Sequence, residues 1–220
     1  MPFTAKAQDK VEASVGADFV SNYIWRGTDC GGVSIQPSMG VSYKGLSLAA
    51  WGSVGIDKED AREIDLTLGY NTGGFNVSVT DYWFSYHKED GGYTGDYFKY
   101  GAHSTIHIFE ATLGYDFGPL ALSWNTYFAG DDYTKENGDR AYSTYVGISA
   151  PFKLGGLDWS AEVGLTPWEG AYANKFNVTN LTLKAEKEIK FTNSFSLPTF
   201  AQVTFNPHTQ GAYFVFGVSF

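Results

Sequence analysis

The sequence predicts an all-β fold: a single closed antiparallel transmembrane β-barrel of about twelve strands, with short periplasmic turns and longer extracellular loops. Three observations predict it. Apolar and polar residues alternate one by one along most of the chain, the signature of strands with two unlike faces. The connections between these segments alternate between short and long. Aromatic residues crowd the segment ends, where a lipid-embedded wall meets water.

The segments follow in order. Residues 11–25 form the first strand. Val33, Ile35, Pro37, Met39, Val41 and Tyr43 then share one face, with Ser34, Gln36, Ser38, Gly40 and Ser42 on the other. After Lys44-Gly45 the pattern resumes with Leu46, Leu48 and Ala50 against Ser47 and Ala49. Ile64, Leu66, Leu68 and Tyr70 oppose Glu63, Asp65, Thr67 and Gly69. Phe75, Val77 and Val79 oppose Asn76, Ser78 and Thr80. Further repeats run from Glu110, Leu120, Tyr142, Leu157, Leu181 and Phe195, and the last covers Ala212 to Phe220. Short connections fall at 44–45, 71–74, 116–119, 151–156 and 192–194. Long ones fall at 26–32, 57–62, 85–103, 129–140, 167–177 and 206–211.

Alternation alone does not say which face points inward. Charge and size do. The polar face carries Glu12, Asp18, Glu63, Asp65, Glu110, Asp158, Glu162, Lys184, Glu186 and Glu188 among many Ser, Thr and Gly. Twelve strands enclose a lumen too wide for Gly and Ser to fill as a dry core. A polar lumen and an apolar exterior fit both facts, and lipid demands closure because an open sheet edge would leave unpaired backbone groups there. Tyr43, Tyr70, Phe75, Tyr115 and Phe195 would form one aromatic girdle. Tyr23, Trp25, Trp83, Phe128 and Tyr142 would form the other. Asp81, His107 and Lys187 fall on the apolar face, and Phe176 and Val178 have the wrong parity; bulges or register changes are expected there, or positions near the interface where a charge costs little.

Composition agrees. The chain has 15 Tyr, 17 Phe, 6 Trp and 26 Gly among 220 residues, and aromatic residues favour strands while Gly favours turns. No apolar run approaches the roughly 18 residues of a membrane helix. A net charge of -9 argues against nucleic acid. The single cysteine, Cys30, cannot form an internal disulfide. Ala5-Lys6-Ala7 has the form of an export-signal cleavage site. Residues 1–7 are thus either a signal remnant or an incidental start, and 8–220 the barrel. Ala212 to Phe220 alternates to a terminal Phe, like the strand signal read by the barrel-insertion machinery.

Ser21-Asn22-Tyr23-Ile24-Trp25-Arg26-Gly27 resembles the start of the TorF-like porin family. So do Ile35-Gln36-Pro37-Ser38 and Gly45 to Ser53, and the close likeness covers about the first quarter of the chain. Asp29-Cys30 departs from the family's pattern. The resemblance implies an outer-membrane barrel and a pore, and supplies no substrate and no catalytic residue.

Inside the barrel, Arg26, Glu63, Asp65, Glu110, Glu162, Lys184 and Glu186 would make a lumen charge network. The acids either line a cation-preferring path or pair with Arg26, Arg62, Lys184 and Lys190 to brace the wall, since buried charges need partners. Arg26 should meet a carboxylate among Glu63, Asp65 and Glu110. Trp51, Tyr82, Phe84, Tyr127, Tyr145, Phe200 and Tyr213 point inward by parity, either filling a constriction or stacking on sugars. No cofactor or metal is expected, because four His and one Cys have no ligand spacing. His103-Ser104 with His107, and His87 near Glu89-Asp90, lack the nucleophile–base–orienter geometry of a hydrolase. Asp131-Asp132 and Glu89-Asp90 are either solvated loops or divalent-cation contacts at a lipopolysaccharide surface. The expected function is a porin-like channel for small solutes in the bacterial outer membrane, with membrane lipid and lipopolysaccharide around it. The alternatives are a non-conducting barrel that acts as a scaffold or surface-interaction protein, with a protein partner, and an outer-membrane hydrolase.

Overall fold

A computed structural model describes residues 10–88, 92–193 and 195–220. Its strands are β1 (Glu12–Val20), β2 (Tyr23–Trp25), β3 (Thr28–Gly31), β4 (Ser34–Tyr43), β5 (Leu46–Gly55), β6 (Arg62–Thr72) and β7 (Phe75–Ser85). They continue as β8 (Ile108–Asp116), β9 (Ala121–Gly130), β10 (Thr144–Leu154), β11 (Leu157–Thr166), β12 (Asn177–Lys190), β13 (Ser196–Asn206) and β14 (Gly211–Ser219). Twelve of them close into one antiparallel barrel, each beside its successor, with β14 returning to β1. The strands β2 and β3 stand apart as a small hairpin.

The short turns have the backbone their residues dictate. Lys44 and Gly45 both take positive φ (49° and 87°), as do Gly73 and Gly74 (54° and 86°). Consecutive left-handed residues match the right-handed twist of the flanking strands.

The apolar face is outside. Leu66, Val163 and Phe216 expose 38%, 40% and 51% of their surface, while Glu63 exposes 4%. The short-turn girdle of Tyr43, Tyr70, Phe75, Tyr115 and Phe195 lies on this outer wall. The other girdle needs correction. Phe128 and Tyr142 are exposed outward, but Tyr23 and Trp25 are not barrel wall. The first strand ends at Val20, not at Trp25, and the next residues turn into the β2–β3 hairpin.

The parity breaks have physical causes. Asp81 and His107 lie beneath the connection between β7 and β8. His107 Nδ1 lies 2.7 Å from Asp81, its Nε2 lies 2.7 Å from the Tyr97 carbonyl oxygen, and Tyr100 donates to Asp81 at 3.2 Å. The loop thereby covers polar groups that would otherwise face outward. The β11–β12 ladder shifts register at Gly164/Leu165, where Val178 opposes Leu165 but Asn180 opposes Gly164. Thr179 is the extra residue. A second shift, between Phe109 and Glu110, leaves Phe128 as the extra residue and sets Tyr127 opposite Glu110.

Candidate functional site

Burial inside the barrel follows a gradient from one end to the other. On β12, Asn180 is buried, Thr182 and Lys184 are half-buried, and Glu186 and Glu188 are exposed. On β13, Asn206 and Thr204 are buried, Gln202 and Phe200 are half-buried, and Pro198 is exposed. On β4, Ser34 and Gln36 are buried, while Ser38 and Ser42 are half-buried. The lumen is therefore filled at the long-loop end and opens toward the short turns as a vestibule lined by small polar side chains.

The β2–β3 hairpin fills the closed end, together with Tyr172 from the β11–β12 connection. Arg26 sits at the tip of the hairpin with φ 50°, a left-handed conformation unusual for a residue with a Cβ. Gly27 follows at φ 79°, where a Cβ would lie 1.9 Å from the Thr179 carbonyl oxygen. Only glycine fits there. The Gly27 carbonyl in turn accepts a 3.0 Å bond from Asn206 Nδ2, so the tip is held from β12 and β13.

The Arg26 guanidinium reaches across to β8 and grips Glu110 with both ends. Nη1 donates to Oε2 at 2.5 Å and Nη2 to Oε1 at 2.9 Å. Parallel bidentate bonds of this kind are the strongest ion-pair geometry available. Nη1 also donates to the Tyr172 hydroxyl at 2.5 Å, and Tyr172 donates to Tyr127 at 3.1 Å. Burial pushes the Tyr172 phenol up to about 12, so it stays neutral and serves as acceptor and donor at once. Tyr82 donates to Glu110 Oε1 at 2.9 Å. The guanidinium carbon lies 4.3 Å from the Trp25 ring centre and 4.7 Å from that of Tyr145. Both charges are thus taken from water only where hydrogen bonds and ring faces replace it.

Further polar bonds extend the plug. Tyr145 donates to Glu162 at 2.5 Å, and Asn180 Nδ2 donates to both Tyr145 and Glu162. The Tyr145 ring occupies the space above Gly164, where a Cβ would fall 2.0 Å from its hydroxyl. On the opposite side, Tyr23 packs on Trp51 with ring centres 5.5 Å apart and turns its hydroxyl toward Glu63. The hairpin thereby touches β5, β6, β7, β8, β10, β12 and β13 in turn.

Not every residue expected in the network joins it. Arg26 and Glu110 pair, and Glu162 sits in the same cluster. Glu63 and Asp65 are buried at its edge without Arg26. Lys184 bonds to Glu186 along its own strand at 2.6 Å and stacks on Phe200 at 4.2 Å. That pair lies in the open vestibule, beside a cavity of about 140 Å³ that also meets Asp158 and Glu188. Arg62 covers the Tyr93 ring at 3.7 Å and Lys190 is exposed, so neither braces an inward acid. Of the expected constriction, Tyr82, Tyr127 and Tyr145 converge at the plug and Trp51 joins through Tyr23. Phe200 lies lower, over Gly217, and Tyr213 leans over Gly211 at the upper rim. Phe84 packs against the buried tyrosines.

Tyr172 is the participant that alternation could not reveal, because its segment has no strand period. Its only sequence signal is a tyrosine amid small residues, Gly170-Ala171-Tyr172-Ala173. His107 is committed to Asp81 and the Tyr97 carbonyl rather than to Ser104. Among the described residues no group of three or more His, Cys, Asp or Glu is arranged to hold a metal. Glu89 and Asp90 lie outside the described residues. No family model and no curated protein matches the chain.

Proposed function

We propose that the chain is a bacterial outer-membrane β-barrel that is closed at rest, with its long loops as the working surface of a scaffold or surface-interaction protein. The hairpin that crosses the lumen and locks Arg26 onto Glu110 carries this reading. An apolar outer wall flanked by aromatic rings at the strand ends suits lipid on all sides, with lipopolysaccharide around the long loops. The β14 strand ending at Phe220 suits the insertion machinery. Nothing in the site resembles a nucleophile with its base, so the proposal includes no enzymatic step.

A passage for small solutes is the second reading. The Ser- and Thr-lined vestibule and the resemblance to TorF-like porins favour it, and it requires the hairpin to leave its seat. Planar-bilayer recording separates the two. The purified chain should give no steady current, whereas a variant with residues 23–31 replaced by a Gly-Ser linker should conduct while still migrating as a folded barrel. Steady conductance by the unaltered chain would remove the closed reading.

A further inference from the structure

The plug leaves one buried carboxyl oxygen without a hydrogen-bond partner. Asp65 is 9% exposed, and its Oδ1 is buried with no hydrogen-bond partner. Glu63, two residues away on the same inward face of β6, is 4% exposed. Arg26 is the cation of this region and is spent on Glu110 in a bidentate pair. An ionised carboxylate with an empty buried oxygen is among the costliest groups to keep in a protein interior. Holding both acids ionised here would take a positive charge that Arg26, bound to Glu110, does not supply.

The surroundings indicate what kind. Asp65 pairs with Trp51 on β5 and with Tyr82 on β7, so an inward aromatic residue flanks it on each side. Tyr23 of the hairpin packs on Trp51, and Trp25 packs on Tyr82 with ring centres 5.6 Å apart. Two carboxylates are too few oxygen donors for calcium, while magnesium, which can bind through one or two carboxylates and keep its waters, is the competing occupant that the titration separates. A carboxyl group flanked by aromatic residues is a setting that suits an organic ammonium, through charge and aromatic contact together. Below Asp65, Thr67 is half-buried and belongs to the vestibule, which supplies the approach.

We propose that Asp65, with Glu63 beside it, binds an organic ammonium ion that enters from the short-turn end of the lumen. This rests on the closed-barrel reading only for the open lower vestibule. Titration calorimetry on the purified full chain in detergent tests it, with n-butylammonium chloride as probe and potassium and magnesium chloride at matched ionic strength as controls. Saturable binding is expected, weakened at least tenfold in Asp65→Asn and unchanged in Asp158→Asn at the vestibule mouth. Should Asp65→Asn fail to fold, Trp51→Leu keeps the carboxylate and should weaken binding severalfold. No saturable binding, equal affinity in both site variants, or displacement by equimolar magnesium would overturn the proposal. None of these depends on conductance, so a conducting wild-type chain and a failed titration are separate results.

Discussion

At the scale of single residues, Glu110 is the side chain on which the plug depends. It receives Arg26 twice and Tyr82 once. The Arg26 side chain is 10% exposed and that of Glu110 2%, so solvent cannot take over for a lost partner. Glu110→Gln keeps the shape but leaves the guanidinium unpaired. Breaking a buried pair from one side costs about 3–5 kcal/mol, and urea unfolding of the folded barrel should register a loss of that order. A change near zero would mean that the pair is not buried in the working protein. Gly164 offers a different test. A methyl there would meet the Tyr145 hydroxyl at 2.0 Å, and overpacking of this kind costs about 1–3 kcal/mol. Gly164→Ala should destabilise the barrel by that amount, and because two ring carbons of Tyr145 would also lie 2.3 and 2.4 Å from the methyl, the loss should be smaller in a Tyr145→Ala background, which removes the ring.

At the scale of elements, the barrel strands could be read from alternation because each has one greasy and one polar face. The hairpin could not. Tyr23 and Trp25 continue the parity of the first strand, so the sequence makes Ser21-Asn22 look like more strand rather than its end. What ends β1 is tertiary: the chain turns inward to bury Trp25 and Arg26 against β7 and β8. The bulge at Phe128 escaped for a similar reason, while that at Thr179 was signalled by the wrong parity of Phe176 and Val178. The bulges at Phe128 and Thr179 change which neighbours face each other, and both border the plug. Bulges re-aim side chains at functional positions, and here they set Tyr127 opposite Glu110 and bring the Thr179 backbone against Gly27. The need of Arg26 for a carboxylate was legible from its charge, whereas its inward direction followed only from the parity of a first strand that in fact ends at Val20. Which acid it would choose among Glu63, Asp65 and Glu110 was not legible, because that depends on how far the hairpin reaches.

At the scale of the whole molecule, the exterior of the barrel is its apolar side. On the outer wall Trp124 is 44% exposed, whereas Trp25 and Trp51 belong to the interior contacts. Burying such a wall in water-free lipid removes the cost of its exposure, about 25 cal/mol for each Å² of apolar surface. The same wall left in water would drive aggregation. Tryptophan fluorescence in vesicles of brominated-acyl lipid reads this orientation directly, using variants that keep a single tryptophan. Trp124 should be strongly quenched and Trp51 should keep its emission; strong quenching of Trp51 with Trp124 untouched would contradict the account.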